Sequence, residues 1–285
     1  MIDLLLSPLS YAFMQRGMAA AILVGILCSV VGCYVVLRSM AFLGDAVAHA
    51  ILPGVAIAYL LDGNLTVGAL LAAILVGLGI GFLTRQGNVK EDTAIGILFT
   101  AALALGVALI STIRTYAVDL SHILFGNILG VSSGDLWLTI GLSVIVLGSV
   151  ILLFKPLLII SFDPVLAATL RLPIGLLNNL LMILLAFTIV IALQTVGIGL
   201  VAAMLVTPPA TAYLLTRRMA PMMFFSALIG IFSSVVGLYL SFYYNIASGA
   251  AIVLTATFLF VLAFLFAPGR GVISQKAHKS RVLRG

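Results

Sequence analysis

Long apolar runs with almost no charge dominate this sequence and limit the folds it can adopt. Of its 285 residues, 64% are hydrophobic and only 8% are charged, unlike the composition of a water-soluble domain. Inside a bilayer every backbone polar group needs a partner, and an apolar helix of about 20 residues supplies these partners along its own length. The sequence therefore predicts an all-α, polytopic transmembrane helical bundle.

Nine stretches have the length and hydropathy of a membrane-spanning helix. No low-complexity linker divides them, so residues 1–269 are interpreted as one transmembrane domain, followed by a basic tail at 270–285. The predicted spans are residues 12–37, 41–61, 65–84, 93–113, 135–154, 174–196, 198–216, 220–242 and 250–267.

The positions of the basic residues predict the orientation of this bundle. Cytoplasmic loops are enriched in Lys and Arg, and nine alternating spans with a cytoplasmic C-terminus place twelve of the fourteen basic residues inside. We therefore expect the N-terminus outside and the C-terminus in the cytoplasm. The same rule explains the basic tail, whose charge does not require a nucleic-acid partner. The inner residues are Arg38, Arg85, Lys90, Lys155, Arg171, Arg217, Arg218, Arg270, Lys276, Lys279, Arg281 and Arg284, and the outer ones are Arg16 and Arg114.

An ionisable pair occurs inside the second predicted span. Asp45 and His49 are four residues apart, which places both side chains on one face of a helix. A carboxylate in a membrane segment is costly and indicates a functional site. Because a carboxylate and an imidazole together suit a divalent transition metal, Asp45 and His49 are predicted metal ligands.

A purely structural role for this pair remains an alternative. Asp45 could form an ion pair with Arg38 or Arg85 near the interface, and His49 could donate one hydrogen bond in the core.

The sequence also gives an expected depth for the pair. If Arg38 marks the inner boundary, a rise of 1.5 Å per residue places Asp45 about 10 Å and His49 about 16 Å into the membrane.

Prolines interrupt two of the predicted spans. Pro53 cannot donate a hydrogen bond to the carbonyl of His49, so that oxygen is freed beside its own imidazole. Thr207-Pro208-Pro209 predicts a second break, in the seventh span. A broken helix can line a transport path or can be an ordinary packing kink, and the sequence favours neither.

A polar stretch between the fifth and sixth spans predicts a short cytoplasmic helix. In Ser161–Pro173, Asp163 can cap the helix with Pro164 at its first position, and Pro173 is expected to stop it. A short exposed helix between two spans is a candidate docking element for a partner protein.

Four short motifs in this order carry a resemblance to a known family: Leu43–His49 with Leu52–Gly54, Leu124–Leu129, Ser161–Pro164 and Leu205–Ala212. Over nearly its whole length the chain resembles the membrane subunits of manganese, zinc and iron ABC importers, the ABC-3 permease family. The resemblance implies a homodimer in the bacterial plasma membrane that works with ATP-binding subunits and an extracytoplasmic metal-binding protein.

The resemblance also implies roles for individual residues. Asp45 and His49 would form the metal site in the translocation path, and the loop at 161–173 would rest on the ATP-binding subunit. The loop lacks the Glu-Ala-Ala…Gly pattern of other importer families, so the resemblance supports the position of the loop more strongly than its individual contacts. The implied coupling residues are Asp163, Pro164, Ala167, Ala168 and Arg171.

The chain itself is not expected to be an enzyme or to hold a permanent cofactor. No Gly-Lys dipeptide occurs, so a Walker A loop is excluded and ATP hydrolysis must come from another polypeptide. In a dimer, two Asp45 and two His49 side chains would offer mixed N/O ligands that suit manganese, iron or zinc. The run Gly199–Leu214 resembles the manganese branch more than the zinc branch, so Mn²⁺ is favoured as the transported ion.

Three other functions remain as alternatives. In a secondary transporter, Asp45 and His49 would relay protons, although the resemblance of the coupling loop opposes this. An intramembrane metalloenzyme is disfavoured because no His-Glu-x-x-His motif occurs. A permease for a chelated metal or a vitamin would need a wide apolar path without metal ligands at these two positions.

Residues 114–134 are too polar to span the membrane and are expected to lie on the outer side. They predict a short re-entrant or surface helix that closes the path, with Phe125 as a plug and Asp119 and His122 near the mouth. A passive helix on the membrane surface is the alternative. Thr207 and Pro208 are further candidates for the path.

Overall fold

The computed structural model describes residues 7–84, 89–112, 128–268 and 271, and in these ranges the chain folds into α-helices joined by short connections. Single 3-10 turns occur at Pro8–Ser10 and Ile128–Gly130. The twelve α-helices of the described ranges are α1 (Ala12–Leu37), α2 (Leu43–Ala50), α3 (Leu52–Leu60), α4 (Leu65–Thr84), α5 (Glu91–Ser111), α6 (Ser133–Leu152), α7 (Phe154–Phe162), α8 (Pro164–Thr169), α9 (Ile174–Val196), α10 (Ile198–Leu215), α11 (Met219–Tyr244) and α12 (Ser248–Phe266).

The all-α membrane architecture predicted from the sequence is confirmed. Within the described ranges, eight segments are long and apolar enough to cross a membrane, and at the place of the seventh expected span α10 contains a shorter apolar helix, Gly199–Leu215. One of the eight is Leu43–Leu60, which consists of α2 and α3 together. The helix α7 was not predicted, because its apolar sequence follows α6 almost directly and was assigned to the connection.

Side-chain contacts show which helix ends lie together on each side of the bundle. At one end, Arg38 follows α1 and bonds to Ser161 of α7 and Asn178 of α9. At the other end, Arg16 near the start of α1 bonds to Ser133 at the start of α6. We name these the Arg38 end and the Arg16 end. The cytoplasmic position of the Arg38 end stays a prediction, as does the separate tail, of which only Gly271 is described.

Burial differs strongly among the helices. Most residues of α1, α9 and the α2–α3 segment are buried, whereas only about a fifth of the residues of α4, α5, α6 and α12 are buried and the rest are half-buried or exposed. Small residues bring α4 against α9: a Cβ at Gly77 would lie 3.3 Å from Cβ of Met182, and one at Gly81 would lie 2.9 Å from the side-chain oxygen of Asn179. The buried α2–α3 segment therefore lies among closely packed helices.

Candidate metal-binding site

The second span is interrupted two residues after His49. The helix α2 ends at Ala50 and α3 begins at Leu52, with Ile51 between them. Pro53 lies in the first turn of α3, where its missing N–H is tolerated. Pro53 has no N–H to donate to the carbonyl oxygen of His49, and the N–H of Ile51 donates to this oxygen instead. The interruption expected from Pro53 is present.

Asp45 and His49 lie next to each other on the same face of α2. Nε2 of His49 is 3.6 Å from Oδ1 of Asp45, and the two side chains are 31% and 53% exposed, respectively. Two N/O ligand atoms about 2.1 Å from one ion are about 3.0 Å apart at a right angle and about 3.4 Å apart in a tetrahedron. A small side-chain rotation would therefore let both residues bind one ion.

Neighbouring helices surround α2 and leave the Asp45 face accessible. The ring of His49 lies against Phe99 of α5, with a centroid distance of 6.1 Å. On another side, the absence of a Cβ at Gly44 admits α10, since such an atom would be 2.9 Å from Cδ1 of Leu205. Packing thus fixes the backbone of α2, while the carboxylate stays exposed.

The proposed structural pairing of Asp45 with Arg38 is not found. Arg38 donates to Ser161 and Asn178 instead, and the ion pair recorded among the described residues joins Asp45 to His49. Arg85 lies outside the described residues. Burial lowers the pKa of the Arg38 guanidinium, and the charge of Glu91 acts in the opposite direction.

The expected depth of Asp45 and His49 was calculated for a helix that continues without interruption from Arg38, and that assumption was wrong. Residues 39–42 form a turn, with Ser39 at φ 59° and Met40 bonded back to Val35. Only six residues of helix separate Leu43 from His49, which is a rise of about 9 Å. The pair therefore lies closer to the Arg38 end than the sequence estimate placed it.

One copy of the chain supplies two ionisable ligands at this site. Within the described ranges, no group of three His, Cys, Asp or Glu side chains could hold a metal ion. A metal that prefers four or more ligands would need backbone oxygen, water or a second chain to complete its coordination.

The predicted break at Thr207 and Pro208 is not present, because α10 continues through both prolines. Pro209 cannot bond to the carbonyl of Leu205, and that oxygen faces α1 at Gly32, where a Cβ would overlap it. The ring of Pro209 lies beside the same glycine, with its Cγ atom 2.9 Å from the Cβ position of Gly32. The double proline therefore lies where α10 packs closely against α1.

The start of the short helix α8 agrees with the sequence. Oδ1 of Asp163 accepts hydrogen bonds from the N–H groups of Val165 and Leu166, at 3.0 and 2.9 Å, and Pro164 takes the first helical position. These contacts satisfy amides that a helix of six residues would otherwise leave open.

The end of α8 differs from the expected stop at Pro173. The helix ends at Thr169, and Arg171 adopts φ 54°, in the left-handed region. The N–H of Leu172 then bonds to the carbonyl of Ala167, which is a Schellman turn. Pro173 precedes α9 as its N-cap. A backbone conformation at Arg171, which composition does not reveal, thus terminates the helix.

Apolar side chains project from α8 and its flanks. Ala167 is buried against the bundle, whereas Val165 is 74% exposed and Ala168 is also exposed. Contiguous exposed apolar surface commonly marks a protein interaction site. Further exposed apolar side chains of this surface are Phe162, Leu166 and Leu170.

The remaining candidates for the path or gate cannot be placed. Phe125, Asp119 and His122 lie outside the described residues, between the end of α5 and Ile128. The contact of Arg38 with Asn178 was missed from the sequence. Two adjacent asparagines in an otherwise apolar span, beside an arginine at the same predicted end, were the available signal.

Comparison with known proteins places the chain in a family. Residues 10–267 match the ABC 3 transport family. The manganese transport system membrane protein MntC of Halalkalibacterium halodurans is 52% identical over 94% of this chain and 91% of its own. The manganese import system permease protein ScaB of Streptococcus parasanguinis is 45% identical over 90% of this chain and 92% of its own.

A solved structure supports the same assignment. The structure titled "PsaBC from Streptococcus pneumoniae in complex with Fab" superimposes with a TM-score of 0.85 at 40% identity, over 97% of this chain and 100% of that one. Together with the apolar spans, these matches identify an integral membrane transport permease rather than a catalytic enzyme. The chain belongs to the ABC 3 transport family.

Proposed function

We propose that this chain is the membrane-spanning subunit of an ATP-driven importer of divalent transition-metal ions, with Mn²⁺ as its main cargo, in a bacterial plasma membrane. The observation that carries the proposal is the Asp45–His49 pair, whose nearest N and O atoms are 3.6 Å apart in an apolar span. The printed names of the similar permeases, which specify manganese, support the choice of ion.

A second copy of the chain would complete the site. The Asp45 side chain is 53% exposed, and lipid is an unfavourable environment for a carboxylate. On α5, one turn before Phe99, Gly96 has no heavy atom within 4 Å of its Cβ position, so a partner helix could approach the site closely. In the dimer, two carboxylates would balance the charge of one divalent ion and two imidazoles would add nitrogen ligands.

Zinc and iron are the alternative cargoes, because mixed N/O ligands accept them as readily. The general order of divalent affinities favours zinc and iron over manganese. Selectivity for Mn²⁺ would therefore have to come from geometry or coordination number, and parallel transport measurements must decide it.

Two further partners follow from an importer of this type. The exposed apolar surface of α8 would dock on a separate ATP-binding subunit, with Asp163, Pro164, Ala167, Ala168 and Arg171 shaping the contact. An extracytoplasmic metal-binding protein would deliver the ion at the Arg16 end. The Arg38 end, and with it the C-terminus, would face the cytoplasm.

The test is uptake of manganese, zinc and iron, measured in parallel in a bacterium that lacks its own transporters. We expect Asp45→Asn and His49→Ala to abolish uptake while membrane insertion and assembly with the ATP-binding subunit persist. Asp62→Asn is the matched control, because Asp62 is exposed at the far end of α3 and its positive φ also suits Asn. Normal uptake by both site variants would refute the site.

A secondary transporter would behave differently in the same assay. Its uptake would continue when the ATP-binding subunit carries a substitution that stops hydrolysis. We expect uptake to require hydrolysis, because the exposed surface of α8 has the form of a docking site.

A further inference from the structure

We propose that Arg38 is a positioning residue that links the ATPase-docking helix α8 to the metal-binding helix α2. The proposal rests on the proposed function, and Arg38 has no role there. Arg38 directly follows α1 and carries a half-buried guanidinium. One of its terminal nitrogens donates to Oδ1 of Asn178 at 2.6 Å, and Nε donates to Oγ of Ser161 at 3.3 Å.

These two bonds hold both helices that flank α8. Ser161 lies in the last turn of α7, two residues before Asp163, which caps α8. Asn178 lies near the start of α9, which follows α8 after a short turn. A displacement of α8 by a docked partner would therefore move the two residues that hold the guanidinium.

On its other side, Arg38 is joined to α2 by a compact turn. The N–H of Ser39 bonds to the carbonyl of Val36, and the N–H of Met40 bonds to that of Val35. Met40 is buried, and its carbonyl accepts from the N–H of Leu43, the first residue of α2. Because these hydrogen bonds and the burial of Met40 constrain the connection, we expect a shift of Arg38 to reach α2. Asp45 lies in the first turn of α2.

Arginine is suited to this position because its planar fork can bond two acceptors on different helices at once. The ammonium of a lysine is a single point on a flexible chain and holds two such acceptors less rigidly. Within the described part of the chain, no carboxylate lies within ion-pair distance of Arg38. The hydrogen bonds to α7 and α9, rather than a salt bridge, therefore hold the guanidinium in place.

The test uses the complete transporter, with permease, ATP-binding subunit and extracytoplasmic binding protein, in proteoliposomes. We expect Arg38→Gln to lower metal transported per ATP hydrolysed by about tenfold, while hydrolysis itself changes by less than about twofold. Arg38→Lys should restore part of the ratio. Arg16→Gln is the control, since Arg16 lies on α1 at the opposite end and donates to a serine of only one other helix, besides the carbonyl of Ala12 in α1 itself, and its ratio should stay normal.

Ser161→Ala provides a milder second variant in case Arg38→Gln folds poorly, and it should lower the same ratio by a smaller factor. Parallel loss of transport and hydrolysis, or an unchanged ratio in both variants, would overturn the link. Equilibrium Mn²⁺ binding without ATP distinguishes a failure of the Arg38 link from a failure of the proposed function. It should persist in Arg38→Gln and be lost in Asp45→Asn, whereas a parent protein that binds no divalent metal would refute the proposed function itself.

Discussion

Gly54 of α3 and Gly68 of α4 lie so close that a Cβ atom on either residue would overlap the backbone oxygen of the other. Ala72, one turn along α4, continues the contact at 2.6 Å from the Cβ position of Gly54. Small residues permit such close helix packing in membranes, where apolar contact with lipid gives little drive for association. Because α2 leads into α3, this contact anchors the segment that carries Asp45 and His49.

Gly54→Ala should destabilise the protein, because the added methyl group meets backbone rather than a side chain that can move. We expect a loss of about 1–3 kcal/mol, measured as a lower thermal unfolding midpoint in detergent. Gly148→Ala is the control, since nothing lies within 4 Å of its Cβ position. As a glycine in the interior of α6, Gly148 should give a small gain. Equal effects of the two substitutions would contradict the close contact.

Metal binding should weaken as the pH falls, because an imidazole ligand binds a metal through its unprotonated nitrogen and protons compete with the metal for it. The measurement is Mn²⁺ affinity of the purified permease at several pH values, by calorimetry at constant ionic strength. Protons should be released on binding, and the amount should differ between buffers of different ionisation enthalpy. Binding without proton release at any pH would argue against imidazole as a ligand.

The exposed surface of α8 should contact the ATP-binding subunit. Val165→Cys and Thr169→Cys should crosslink to that subunit in membranes, because both positions are exposed. Thr66→Cys, at the start of α4 and the Arg16 end, is the control and should not crosslink to it. Crosslinking of Val165→Cys to the extracytoplasmic binding protein would reverse the proposed orientation of the bundle.

Much of this architecture could be predicted from the sequence, because a bilayer demands long apolar helices whatever their contacts. The bounds of α4 and α9 were predicted to the residue, and the spacing of Asp45 and His49 placed them on one face. The short helix α7 and the unbroken α10 were not predicted. Both depend on how neighbouring helices pack, and the carbonyl of Leu205 has a place only because Gly32 of α1 leaves room for it.

Arg171 should act through its backbone conformation as well as through any contact of its side chain. Its positive φ costs a non-glycine residue about 1 kcal/mol, and β-branched residues are the least tolerant of it. We expect Arg171→Gly to keep uptake near the parent rate and Arg171→Val to lower it. If both variants lost uptake equally, the charge of the guanidinium would be the feature that matters at the ATPase interface.

The double proline of α10 should serve packing rather than the transport path. Gly32→Ala would push a methyl group onto the carbonyl of Leu205 and the ring of Pro209, so we expect a thermal midpoint clearly below that of the parent. Thr207→Val keeps the side-chain volume and removes the hydroxyl, and we expect it to transport Mn²⁺ at the parent rate. Loss of uptake in Thr207→Val with unchanged stability would instead place that hydroxyl on the path of the ion.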